Sequence, residues 1–177
     1  MSDRPFTPPC PPPTPSQTVG PFFHVCLARD AQHGSLFRDA PSRIRLAVRV
    51  LDGAGVPVTD ALVEIWQQGA DAAGDSAFGR LASDDMGFCE FETVRPCAPR
   101  TGAPHINVCL FARGLLHHLY TRVYFQDDET LAADPVLAMI PDDRRGTLLA
   151  HVDPGLAGRW IFDIHLQGPN ETVFFDA

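Results

Sequence analysis

Residues 103 to 108, Ala-Pro-His-Ile-Asn-Val, have the form of a metal-binding strand that lacks one ligand. Side chains two apart in an extended strand share a face, so His105 and Asn107 project together where a His-x-His pair would set two imidazoles on one ion. Asn107 breaks that pattern, because a neutral amide is a weak ligand for a hard trivalent cation. A lone strand histidine is more often a hydrogen-bonded structural residue than a ligand, and His105 is read that way. The adjacent His117 and His118 point to opposite faces and cannot chelate one ion as a pair. One face of the same stretch carries His118, Tyr120, Arg122 and Tyr124, a stripe that suits an interface and a solvated strand equally. Arg113 follows the metal-like strand and could hold an anionic group by charge-assisted hydrogen bonds. Glu64 and Asp163, each inside a strand-like run, are assigned to folding or subunit contacts, since no second carboxylate can be set beside them for acid–base work.

These residues sit in a chain that reads as short strands. Ile44, Leu46, Val48 and Val50 alternate with Arg45, Ala47 and Arg49, which predicts a half-buried strand ending at the turn Asp52-Gly53-Ala54-Gly55. Further strands are expected at 62–68, 88–94, 105–112, 119–125, 148–152, 160–166 and 172–175, separated by Gly, Pro and Asp turns. The strongest helical signal lies between Asp127 and Arg145, interrupted by Pro135 and Pro141, and reads as a crossover. The expected architecture is all-β, an antiparallel β-sandwich with short helices and long loops. Residues 1–177 form one domain, in which the proline-rich segment 1–13 favours extended polyproline II.

Composition narrows the function classes. At 177 residues the chain can bury roughly 70% of the surface its unfolded form exposes, so it needs no disulfides. The five cysteines, Cys10, Cys26, Cys89, Cys97 and Cys109, are odd in number and contain no Cys-x-x-Cys pair, which fits reduced thiols. Cys89 and Cys109 are expected to pack as small apolar residues. A formal charge of −8 argues against nucleic-acid binding. No apolar run reaches the roughly 18 residues of a membrane span, and the N-terminus lacks a signal-peptide core. The expectation is a soluble, cytoplasmic protein.

The Pro-His-Ile-Asn stretch occurs with Thr14-Pro15-Ser16-Gln17-Thr18-Val19-Gly20-Pro21-Phe22-Phe23 near the start and Val63-Glu64-Ile65-Trp66-Gln67 in the middle. Leu110-Phe111-Ala112-Arg113-Gly114, Val123-Tyr124-Phe125, Phe162-Asp163-Ile164 and Glu171-Thr172-Val173-Phe174-Phe175-Asp176 follow in order. With these segments the chain resembles the intradiol ring-cleavage dioxygenases over nearly its whole length. Within them it is most similar to the α subunits of the αβ enzymes that open protocatechuate, 3,4-dihydroxybenzoate, to 3-carboxy-cis,cis-muconate. Catalytic chains of that family hold Fe(III) with two tyrosinates and two histidines. His105 and Asn107 occupy the positions of the family's histidine ligands. This chain contains only Tyr120 and Tyr124, both downstream of that strand. Where the catalytic pattern sets its tyrosines it reads Asp71-Ala72-Ala73-Gly74-Asp75-Ser76 and Arg95-Pro96-Cys97-Ala98-Pro99.

The resemblance therefore implies a subunit with no iron ligands and no catalytic residues of its own, partnered by a β subunit that binds Fe(III) within a higher αβ oligomer. It also implies that Thr18, Gly20 and Pro21 approach the aromatic substrate at the β-subunit iron and that Arg113 reaches the same pocket. Two other classes stay open on the residues alone. One is a non-enzymatic, transthyretin-like β-sandwich binding module, and the other is a stand-alone metalloenzyme built on His105.

Overall fold

The structure is a computed structural model and describes residues 27, 34–68, 75–99 and 101–176. Eight strands make up most of it: β1 Arg43–Leu51, β2 Leu62–Gln68, β3 Ser76–Ala82, β4 Phe88–Val94, β5 His105–Phe111, β6 Leu119–Phe125, β7 Leu149–Val152 and β8 Arg159–His165. The all-β class holds. The strands hydrogen-bond in the order β3-β2-β5-β6-β7-β8-β1-β4. Two of these pairings, β1 with β8 and β6 with β7, are parallel, so the expectation of purely antiparallel pairing is corrected. A parallel neighbour needs a crossover of a dozen or more residues. Between β6 and β7 that crossover is the segment expected to be helical, which carries α1 Pro135–Ala138, α2 Asp142–Arg145 and two 3-10 turns.

Alternation along each strand sends one apolar row inward. Leu46, Val48 and Val50 of β1 meet Val63 and Ile65 of β2, Phe91 of β4, Ile106, Val108 and Leu110 of β5, and Phe162 and Ile164 of β8 in one buried cluster. Phe125 and Trp160 pack edge to face at 5.0 Å, and the Arg95 guanidinium lies 4.0 Å from the first ring centroid and 4.8 Å from the second. On the outer face of β1, Arg49 grips Asp163 through hydrogen bonds of 2.9 and 2.6 Å, directly across the parallel register. Asp163 thus makes an ion pair within the sheet, in keeping with the folding half of the expectation.

Two expectations about elements need correcting. Strand β3 was not expected at all. The run 172–175 was expected to be a strand but makes only an isolated bridge between Phe175 and Tyr120. Cys89 packs in the core as foreseen, whereas Cys109 is half-buried on the outer face of β5. Burial pushes both thiols up to about 12, so neither is a ready nucleophile. No helix among the described residues is long and apolar enough to cross a membrane.

Candidate functional site

The outer face of β3-β2-β5-β6 collects the residues singled out for chemistry. Register places Phe78 opposite Trp66, Trp66 opposite Asn107, and Asn107 opposite Arg122. One row along, Arg80 faces Glu64, Glu64 faces Cys109, and Cys109 faces Tyr120. Phe175 and the α1 region close the sides of a groove of about 910 Å³ over this face. Its walls are mainly apolar. Trp66 and Phe78 keep 59% and 53% of their surface exposed, a high value for aromatic side chains lying side by side.

His105 and Asn107 share a face, as the two-residue spacing requires, and both line a smaller cavity of about 270 Å³. His105 makes a local hydrogen bond and a ring contact. Its Nδ1 lies 2.9 Å from the Ala103 carbonyl and its ring stands 5.4 Å from that of Tyr124. A carbonyl oxygen only accepts, so Nδ1–H donates to it, and burial lowers the pKa of the ring. Cys97 lines the same cavity, but two protein donors fall short of the three or four a zinc site uses. The described residues bring no three His, Cys, Asp or Glu side chains together as a metal cluster.

The tyrosines do not fill the gap. Tyr124 is fully buried, its hydroxyl donates to Asp134 Oδ1 at 3.3 Å, and burial raises its pKa, which disfavours the phenolate a ferric ion would need. Asp134 is itself a junction. Its carboxylate caps α1 by accepting from Val136 N at 2.9 Å and Leu137 N at 2.8 Å, and it takes the Ala103 amide at 2.7 Å. Burial alone would raise this carboxyl, but the amides of Leu137, Ala103 and Val136 and the Tyr124 hydroxyl outweigh it and hold the pKa below 3.8. The end of β5 where a metal would lie is thus tied into the protein's own hydrogen bonds. Opposite Asn107 stands Arg122, a cation that would oppose a metal charge. The donor set does not fit ferric iron.

The depressed His105 has a consequence for stability. A histidine with a folded pKa below its unfolded 6.5 contributes stability that is full above that pH and is lost as pH falls through the folded value. Urea midpoints of the wild type should therefore drop on acidification below pH 6.5. A His105→Gln variant should show a flatter profile there, and parallel profiles would contradict the assignment.

The remaining candidates separate. Thr18, Gly20 and Pro21 lie outside the described residues, as do segment 1–13 and positions 71–74. Arg113 sits in the turn after β5, where Leu115 N donates to the Ala112 carbonyl at 3.3 Å and Gly114 takes φ +85°. Its Nε lies 3.1 Å from Asp60 Oδ2, and its side chain is 65% exposed. It is not among the residues lining the large groove. Glu64 pairs with Arg80 at 2.6 Å, in keeping with a folding role. Of the stripe that runs into β6, His118, Tyr120 and Arg122 line the groove, while Tyr124 is buried beneath the crossover. Sequence reasoning missed Phe78, Met139 and Asp60. It also passed over Trp66 as a surface residue, although alternation puts that large aromatic on the same face as Glu64.

Comparison with known proteins follows this geometry. Over 193 residues the chain is 42% identical to the protocatechuate 3,4-dioxygenase alpha chain of Burkholderia cepacia, covering 92% of this chain and 96% of that one. The chain belongs to the protocatechuate 3,4-dioxygenase α-chain family. This family is related to its own counterpart: the beta chain of the Burkholderia cepacia enzyme is 31% identical over 183 residues, covering 89% of this chain and 77% of that one. Among solved structures, an intradiol ring-cleavage dioxygenase from Tetranychus urticae superposes with a TM-score of 0.62 at 15% identity, covering 79% of this chain and 88% of the other. That likeness concerns the fold. No protein-family model matches the chain.

Proposed function

We propose that this chain is the α subunit of a protocatechuate 3,4-dioxygenase, a cytoplasmic αβ oligomer that opens 3,4-dihydroxybenzoate with dioxygen to 3-carboxy-cis,cis-muconate. Fe(III) belongs to the partner β subunit, and this chain, one β-sandwich domain, supplies part of the pocket wall. The observation that carries the reading is the strand His105–Phe111, which keeps the position of a ligand strand but sets Asn107, a neutral amide, opposite Arg122. A chain similar along its length to α chains, with a donor set unsuited to ferric iron, fits a subunit that serves a site held elsewhere. A carrier module of transthyretin type does not account for that similarity.

Thr18, Gly20 and Pro21 would line the β-subunit pocket. There Gly20 allows close backbone approach, Pro21 sets the chain direction, and Thr18 offers one hydroxyl to an apolar wall. Arg113 would bind the substrate carboxylate. Its exposed guanidinium outside its own chain's groove suits a contact made across a subunit boundary. The exposed pair Trp66 and Phe78 suits a face that a partner covers.

The test is co-expression with a β chain that carries the missing tyrosines and His-x-His pair. Arg113→Ala in the assembled enzyme is expected to weaken binding of carboxylated catechols by about 1–3 kcal/mol while affecting plain catechol much less. Equal losses for both substrates would show that Arg113 acts on assembly instead.

A further inference from the structure

Asp60 is a poor stabilising residue as it stands. Its side chain is only 13% exposed, yet among the described residues its buried Oδ1 has no hydrogen-bond partner, a condition few native carboxylates show without a reason. The other oxygen meets Arg113 Nε at 3.1 Å, and Arg113 is 65% exposed, so the pair has the geometry that adds little to folding.

The loop that carries Asp60 is well anchored. Ser83 Oγ accepts from Ala61 N at 2.9 Å and donates to the Val58 carbonyl at 2.8 Å, while Ser83 N donates to the Ala61 carbonyl at 2.9 Å. Asp60 is thus a fixed point, and Arg113 is a long side chain on a surface turn. The closest approach of the pair is through Nε, and among the described residues Nη1 and Nη2 make no hydrogen bond, so they leave open one edge through which a guanidinium takes a carboxylate in two parallel hydrogen bonds.

We infer that Asp60 is a positioning residue for substrate recognition: it holds Arg113 by Nε and presents the terminal guanidinium edge to the ring carboxylate of the substrate. The inference rests on the role proposed above for Arg113. A carboxylate fixed behind the arginine limits the conformations that substrate binding must otherwise freeze. It also keeps the cation aimed away from its own chain.

The experiment compares Arg113→Ala, Asp60→Ala, Asp60→Asn and the Asp60→Ala/Arg113→Ala double variant in the αβ holoenzyme. KM and kcat are measured for 3,4-dihydroxybenzoate and for catechol. Asp60→Ala is expected to raise KM for the carboxylated substrate roughly tenfold with little change in kcat or in the catechol constants. Asp60→Asn, which keeps the shape and one neutral acceptor, should fall between it and wild type. The double variant should be no worse than Arg113→Ala alone, because both changes remove one recognition unit. Equal KM increases for the two substrates, or an additive double variant, would overturn the positioning role. If Arg113→Ala itself fails to distinguish the substrates, the role of Arg113 falls and this inference with it. If Arg113→Ala discriminates and Asp60→Ala does not, only the inference falls. Should Asp60→Ala not assemble, the near-isosteric Asn variant decides by the same substrate ratio.

Discussion

Asp134→Ala is expected to cost about 3 to 5 kcal/mol of folding stability, a large part of the roughly 5 to 15 that a domain has in total. The carboxylate is 2% exposed and accepts from the amides of Ala103, Val136 and Leu137 and from the Tyr124 hydroxyl. Truncation strands all four donors in a buried site, and loss of the α1 cap alone is worth about 1 kcal/mol. Gly102 shows how closely this junction is built. Its φ is +93°, and an added Cβ would lie 2.5 Å from Asp134 Oδ2, so backbone and carboxylate leave no room for a side chain. The carboxyl is held below 3.8 in the folded protein, so its contribution is full above that pH and is lost as pH falls through the folded value. Urea unfolding at neutral pH measures the loss. A change under about 1 kcal/mol would mean that water satisfies the stranded amides and that the junction is not a structural bolt.

How far these features could be read from the chain depends on whether their cause is local. Strand β1 was legible because Leu46, Val48 and Val50 face the core while Arg45 and Arg49 face out, a period that needs only neighbouring residues. Strand β3 was not. It is an edge strand paired only with β2, with Gly79 at its centre, and just one of its residues is fully buried. The parallel pairings left no local trace either, since they follow from the path of the crossover. Thr172 to Phe175 has strand-like composition, yet its bonds go to separate places: Thr172 N donates to the His165 carbonyl and Phe175 N to that of Tyr120.

The site divides in the same way. His105 and Asn107 were legible because they are two residues apart on one strand. Asp134 before Pro135 carries an ordinary helix-start signal, but its bond to Ala103 joins the segment before β5 to the crossover and depends on tertiary packing. Asp60 and Arg113 lie on different loops, and nothing in either segment announces the other. The groove is a third case. Trp66 and Phe78 come from neighbouring strands, and their pairing became visible only with β3 in place.

Asn107→His rebuilds the His-x-His pair on the outer face of β5 and is still expected to yield no ferric site in the isolated chain. The nearest phenol on that end is Tyr124, which is buried, bonded to Asp134 and held protonated by burial. Freeing it would break the junction whose loss is expected to be so costly. Arg122 opposite the new histidine adds a positive charge beside the would-be ion. Two neutral imidazoles supply neither the anionic donors nor the ligand count that a trivalent ion requires, so the variant should take up divalent zinc or nickel weakly at most. The isolated variant, offered iron and 3,4-dihydroxybenzoate, should show no tyrosinate charge-transfer band and no oxygen uptake above the wild-type chain. Muconate formed by the variant alone would mean that Tyr120 or Tyr124 can leave its hydrogen bonds for the metal, and the reading of this chain as the iron-free partner would have to be given up.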